Sequence, residues 1–445
     1  MSVYWCELAW LGDDRVAEGV TIEIGDERIT AVESGAASPP PGANRLDGIT
    51  IPGLANAHSH AFQRALRGRT QSGRGDFWTW RDAMYGLAAR LDPDLYLALA
   101  RATFGEMALA GITCIGEFHY LHHGPSGVPY ADPNEMGEAM IQAARDAGIR
   151  ISLLDACFLH GGIGEEPSAV QRRFSDGNAD GWIDRVSELA EDPGTRIGAA
   201  IHSVRTVDPE SAAAVAAWTA ERGIPLHAHV SEQPAENSAS LEVYGSTPTA
   251  VLAGAGAVTE RFVAVHATHL DDADFRILGD AGAACCLCPT TERDLADGIA
   301  PADRLRSAGI ELALGTDSHA TIDLFEEARA VELDERLESG ERGRNPASIL
   351  LDAATRAGHA CLGWPDGGRI APGAIADLVT VELDSPRLAG TDAASAIPSL
   401  VFAASGADVR GVIAGGQPIV REGEHVALDV AAELDAAIGA VWESA

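Results

Sequence analysis

The chain contains no lysine: all 32 of its basic residues are arginine, set against 66 acidic residues, for a net charge of −34. Without lysine there is no amine for a Schiff base, no phosphate-binding P-loop and no carbamylated lysine to bridge two metal ions. The surplus of negative charge repels phosphate backbones and anionic headgroups, which argues against nucleic acid or a membrane surface as a partner. Cysteine is sparse and unpatterned. Seven residues (6, 114, 157, 285, 286, 288 and 361) make an odd number without the spacing of a disulfide framework, so a reduced, cytoplasmic protein is expected. Long apolar runs are missing as well. No uncharged stretch reaches the ~18 residues of a membrane span. The start, Met1-Ser-Val-Tyr-Trp-Cys-Glu7, lacks the basic region of a signal peptide.

What is present is ordinary for a globular enzyme: 46% hydrophobic and 22% charged residues over 445 positions. That length suits two or three domains of ~150 residues, one of which can be a barrel of ~250. Residues 1–49 read as short strands separated by turns, ending in a Pro/Gly/Ala-rich link at 38–43. The same texture returns at Ala376-Asp-Leu-Val-Thr-Val-Glu382 and from Val409 to Val420. Two strand-rich ends predict one small, discontinuous β-sandwich domain (1–49 with 369–430), followed by a C-terminal helix over 431–445.

The middle, 50–368, alternates differently. Apolar runs at 50–57, 112–118, 150–158, 196–201, 225–230, 261–265, 283–287 and 311–315 are each followed by an amphipathic stretch, among them 94–109, 133–147, 209–222, 271–281 and 324–337. Eight such units predict an α/β fold, a parallel (β/α)8 barrel of the TIM type. Nearly every run ends in a residue able to do chemistry: His58 and His60, Glu117 and His119, His160, His202, His229 and Glu232, His266 and His269, Asp317 and His319. In a barrel these ends converge on one rim, where the active site lies.

His58-Ser-His60 places two imidazoles on one face of a strand, since residues i and i+2 point the same way. The pair alone is a weak signal. The fifth run carries His227-Ala-His229-Val-Ser-Glu232 and the eighth ends Gly315-Thr-Asp317-Ser-His319. Three imidazoles and a carboxylate from strands one, five and eight suit a mononuclear transition metal with one position left for water. His227 and His229 share parity, so spacing leaves both open as the strand-five ligand.

Pro52-Gly-Leu-Ala-Asn-Ala-His58-Ser-His60, His229, His266 and Gly-Thr-Asp317-Ser-His together resemble the amidohydrolase superfamily over about residues 1–430. Within it, His58-Ser-His60-Ala-Phe-Gln63-Arg, Phe77-Trp-Thr-Trp-Arg81, Glu117-Phe-His-Tyr120-Leu-His-His, His202-Ser-Val-Arg205, Val265-His266-Ala-Thr-His and Thr290-Thr-Glu292 resemble the formimidoylglutamate deiminases. The Thr-Thr-Glu after Cys288-Pro289 departs from the Ser-Asn pair of most related deaminases, which weakens a nucleobase reading. The resemblance implies hydrolysis of N-formimidoyl-L-glutamate to N-formyl-L-glutamate and ammonia, a step of histidine degradation. The alternative is an aminohydrolase or chlorohydrolase of the same superfamily acting on a heteroaromatic ring.

The resemblance further implies one divalent ion, with zinc expected, on His58, His60, His229 and Asp317; His229 is chosen because the family ligand stands three residues before the acid. It makes Glu232, His266 and Asp317 catalytic. Asp317 would take the proton of water, Glu232 would carry a proton to the departing nitrogen, and His266 would bond the nucleophile or tetrahedral intermediate. Gln63, Arg81, Tyr120, His202 and Arg205 are the implied contacts of a small dicarboxylate substrate, with the two guanidiniums matched to its carboxylates. A homodimer is the family expectation. Cys285, Cys286 and Cys288 read instead as small core residues, and His122-His123 adjoins a Gly/Pro loop of the kind from which lids are made.

Overall fold

The computed structural model describes residues 1–443. Eight parallel strands follow one another around a barrel: Leu54–Ser59, Ile112–His119, Arg150–Cys157, Thr195–Ile201, Leu226–Val230, Phe262–His266, Ala284–Leu287 and Glu311–Leu314. Adjacent strands pair in sequence order, and the first meets the segment after the eighth through a bridge between Ser59 and Asp317. The strands are almost wholly buried, as a sheet covered by crossover helices must be.

Helices start where the sequence supplies a cap. Asp92, Asp208, Asp271 and Asp323 each accept hydrogen bonds from the first turn of the helix that follows, occupying donors that have no partner within the helix. Left-handed Gly148, Gly223, Gly282 and Gly340 end four of them.

The two ends of the chain build a second, mixed eight-stranded sheet. Four strands come from the N-terminal part (Ser2–Trp10, Val16–Gly25, Arg28–Glu33, Asn44–Pro52) and four from the C-terminal part (Leu378–Val381, Val409–Ala414, Gln417–Arg421, Glu424–His425). The halves join where Leu378 pairs with Pro52 and Val381 with Ile49, antiparallel. Cys6, Val20, Ile22, Ile29, Leu378 and Ile413 form its own core. The last described helix is Val430–Glu443; residues 444 and 445 of the expected terminal helix lie outside the described residues.

The first run, expected as one strand over 50–57, is two. Thr50–Pro52 belongs to the terminal sheet, and the barrel begins at Leu54. Gly53 is the joint: a Cβ there would lie 2.2 Å from Thr113 Oγ1 and 2.7 Å from Asp377 Cβ, so only glycine lets the chain pass between the two sheets.

Candidate active site

At the C-terminal ends of the barrel strands, the side chains of His58, His60, His229, His266 and Asp317 converge. His58 Nε2 lies 3.2 Å and His60 Nε2 3.4 Å from Asp317 Oδ1, while His229 Nε2 lies 3.2 Å from His58 Nε2. In the triads His58–His60–Asp317 and His58–His229–His266 the ligating atoms all fall within 4.8 Å of one another. His60 Nδ1 faces the Phe118 carbonyl at 2.9 Å and His229 Nδ1 the His202 carbonyl at 2.8 Å. A carbonyl only accepts, so both rings carry their proton on Nδ1 and present a bare Nε2 to the centre. Burial holds the imidazoles neutral: His58 is pushed down to about 3, only partly opposed by Asp317, and His60 and His229 are lowered as well. His60 Nε2 and Asp317 Oδ1, two acceptors 3.4 Å apart, repel unless a cation lies between them. With Asp317, held below the usual carboxylate range by His58, His266 and His60 against the upward push of burial, this N3O donor set fits one divalent ion.

Backbone strain gathers here. Ser231, His266, Ala267, Asp317 and His319, none of them glycine, have φ of 51°, 69°, 51°, 40° and 58°. Such left-handed conformations cost ~1–3 kcal/mol each and persist where the surroundings dictate them, most often at functional sites. Gly315 packs against the same centre; a Cβ there would meet His58 Cβ at 2.8 Å and Cys288 Sγ at 3.0 Å.

His266 stands on the other side of Asp317, its Nε2 3.9 Å from Asp317 Oδ2 and 3.8 Å from Glu232 Oε1, and its Nδ1 3.4 Å from Glu292 Oε1. Burial alone would lower its pKa, but Glu232, Glu292 and Asp317 outweigh it and lift the ring to about 10. Its Nε2 has no hydrogen-bond partner among the described residues. Glu232 and Glu236 line a cavity of about 300 Å³ that also touches His60, His229, His266 and Asp317.

Each residue expected to contact substrate lines that cavity. Gln63 gives its amide N–H to Tyr120 Oη (3.1 Å), and its buried Oε1 lacks a hydrogen-bond partner among the described residues. His202 Nδ1 faces Thr206 Oγ1 at 3.1 Å. Arg81 stacks on Trp78 at 4.5 Å and Tyr85 at 5.5 Å, with a buried Nε that has no partner among the described residues. Arg205 is placed differently from expectation: its Nη2 donates to Glu232 Oε2 at 2.7 Å and its Nε to Ser203 Oγ at 3.1 Å. Its guanidinium is shared between the acid expected to move protons and the cavity it lines.

His227, the open alternative on strand five, bonds the Cys361 carbonyl at 3.1 Å. Cys285, Cys286 and Cys288 are buried and free, although Cys288 Sγ comes within 4.8 Å of ligating atoms of His266 and Asp317. His122 and His123 are buried, not part of an exposed lid: His122 Nε2 bonds the Ala156 carbonyl and His123 Nε2 bonds Asp176. A further histidine group, His119–His122–Asp155, does not suit an ion, because Arg185 and Trp182 already saturate Asp155.

Sequence reasoning gave no role to Glu292 or Glu236. Glu292 Oε1 accepts from Cys288 N and lies beside His266; Glu236 Oε2 accepts from Glu232 N at 3.1 Å. The pattern Glu232-Gln-Pro-Ala-Glu236, with Pro at a helix start and an acid in the first turn, was the available signal for the latter.

The family model for the amidohydrolase family matches residues 49–419. The chain is 36% identical over 439 residues to a formimidoylglutamate deiminase of Pseudomonas aeruginosa, covering 96% of each protein. It superposes with a TM-score of 0.89 on an amidohydrolase from Brucella melitensis (31% identity, 99% of this chain and all of that one). An atrazine chlorohydrolase mutant from Arthrobacter aurescens, solved with zinc and atraton, gives a TM-score of 0.87 (26% identity, 98% of this chain and all of that one). The chain belongs to the amidohydrolase family.

Proposed function

We propose that the protein hydrolyses N-formimidoyl-L-glutamate to N-formyl-L-glutamate and ammonia with one divalent ion, zinc, held by His58, His60, His229 and Asp317. The observation that carries this reading is the polarity of the cavity. Imidazoles and carboxylates occupy its floor, while Arg81, stacked on Trp78 and Tyr85 and with no carboxylate against it among the described residues, stands on its wall. The identity to the Pseudomonas aeruginosa deiminase supports the same substrate.

The ion, when bound, supplies the positive charge that acidifies water and polarises the amidine. Asp317 takes the proton of the attacking water. His266, whose Nε2 faces that point, donates a hydrogen bond that steadies the oxygen as charge develops on it. Glu232 carries the remaining proton of that water from the oxygen to the terminal nitrogen, the carbon–nitrogen bond to it breaks, and ammonia leaves while the carbonyl of the formyl product forms and the proton on Asp317 passes to solvent. Arg205 holds Glu232 by its ion pair and leaves the rest of its fork for a carboxylate; Arg81 holds the other carboxylate. Gln63 Oε1 is positioned to accept from a substrate N–H. The same proposal places the enzyme in the cytoplasm as a homodimer, with Leu333 and Leu337 of helix Leu324–Ser339 exposed on one face as part of the contact.

A second reading is favoured by Phe77, Trp78, Trp80 and Tyr85, which line the same cavity and suit a heteroaromatic ring. Ammonia release from N-formimidoyl-L-glutamate, S-adenosylhomocysteine and an aminotriazine separates the two. The expected result is turnover of the amidine alone; activity on a ring and none on the amidine would overturn the first reading.

A further inference from the structure

Behind the candidate metal centre runs a chain of hydrogen bonds whose direction is set by chemistry at every link. Glu117 Oε1 takes Ala61 N–H at 2.8 Å and its Oε2 lies 2.7 Å from Ser59 Oγ; burial raises this carboxyl, so the proton order is fixed from the far end of the chain, at Asn56. Ser59 Oγ takes His319 Nε2–H at 3.0 Å, because the neutral ring keeps its other nitrogen as an acceptor, and turns its own proton towards Glu117 Oε2. His319 Nδ1 is then bare and accepts from Thr316 Oγ1–H at 2.9 Å. Thr316 Oγ1 in turn accepts from Asn56 Nδ2 at 2.7 Å, and Asn56 Oδ1 accepts from Thr316 N at 2.9 Å. Asn56, Ser59, Glu117, Thr316 and His319 are all fully buried, so no link can be exchanged for water without cost.

The residues of this chain interleave with the candidate ligands. Ser59 lies between His58 and His60, and Thr316 and His319 flank Asp317. Strict alternation along a strand would send Asn56 and Ser59 to opposite faces; the register shift between them lets both reach the segment after strand eight. That segment holds the left-handed Asp317 and His319, and Arg67 Nε fixes the His319 carbonyl at 2.7 Å.

We propose that Glu117, Ser59 and His319 are positioning residues. Together they clasp the seam between the first barrel strand and the segment after the eighth, setting the distance between the His58/His60 pair and Asp317. None touches the ion or the substrate. The inference rests on the metal-centre reading given above and extends it to residues with no ligating role. The clasp fixes where three of the four ligands stand before any ion arrives, so the ion meets a preformed site.

The test compares zinc affinity, by competition with a chromophoric chelator, with the melting temperature of the metal-free protein. Ser59→Ala and His319→Ala are expected to weaken zinc binding about 10- to 100-fold, the usual effect of losing support behind a ligand, with only a small change in the metal-free melting temperature. His319→Gln, which keeps a donor near the Nε2 position, should recover most of the affinity. The visible spectrum of the cobalt-substituted protein should change in the alanine variants and return towards wild type in His319→Gln. Wild-type affinity and an unchanged cobalt spectrum in the alanine variants would overturn the clasp while leaving the metal centre standing. A wild-type protein that binds no zinc would overturn the metal reading itself. A fall in metal-free melting temperature in all three variants, with His319→Gln no better than alanine, would place the network in the fold and overturn the positioning role.

Discussion

At Glu232 two demands meet, since the same carboxylate is paired with Arg205 and aimed at the space beside His266. An amide in its place keeps the shape and one acceptor but cannot carry a proton. Glu232→Gln is therefore expected to retain its metal, measured by plasma emission, and to lose turnover by ~10²-fold or more. Full activity in that variant would remove Glu232 from proton transfer. Arg81 lines the cavity but is none of the residues assigned to the ion or to proton transfer, so Arg81→Met is expected to raise KM for the dicarboxylate while changing kcat little; an unchanged KM would remove it from carboxylate binding. Parity left His227 and His229 both open and the resemblance chose between them, while that His58, His60 and Asp317 would meet could be read from the motifs. The Arg205–Glu232 pair could not, because residues 27 positions apart meet only through the register of strands four and five and the left-handed turn at Ser231. The partners of Glu117 were hidden for the same reason: Ser59 and His319 reach each other only where the barrel closes.

Among the elements, the helices show most plainly how local chemistry decides boundaries. Asp208 accepts from Glu210 N, Ser211 N and Ser211 Oγ and pairs with His160 Nε2, and helix Pro209–Arg222 begins at the next residue. Burial would raise its carboxyl, but the Ser211 and His160 bonds outweigh that and hold it down to about 2. A carboxyl depressed on folding stabilises the native state above its unfolded pKa near 4, and the contribution fades as pH falls towards 2. Asp208→Ala is expected to cost ~1 kcal/mol near neutral pH. In thermal melts its deficit against wild type should hold down to about pH 5 and narrow below that; a deficit independent of pH would contradict the charge-based account. The barrel strands fell within a residue or two of the apolar runs, with one exception. The run at 50–57 is buried throughout and has no charged residue to mark a break, and the crowding around Gly53 divides it between two sheets.

Over the whole molecule, 66 acidic residues outnumber 32 arginines, so even complete pairing leaves half the carboxylates without a cation. Exposed ion pairs contribute ~0–1 kcal/mol each, whereas unpaired like charges repel across the entire surface. Raising sodium chloride from 10 mM to 1 M shortens the screening length from roughly 30 Å to 3 Å. It is expected to raise the melting temperature; a fall would mean that pairs such as Arg293–Asp334 and Arg356–Asp352 dominate the balance. No helix among the described residues is long and apolar enough to cross a membrane.

The bridge from Ser59 to Asp317 also sets a timetable for synthesis. A ribosome releases His58 and His60 about 250 residues before Asp317, a wait on the order of 10–50 s at ~5–20 residues per second. Throughout that interval the nascent chain carries two histidines and no carboxylate opposite them. The proposed site is therefore complete only once residue 317 has been made, and a chain cut short between 229 and 317 would carry three of its four candidate ligands.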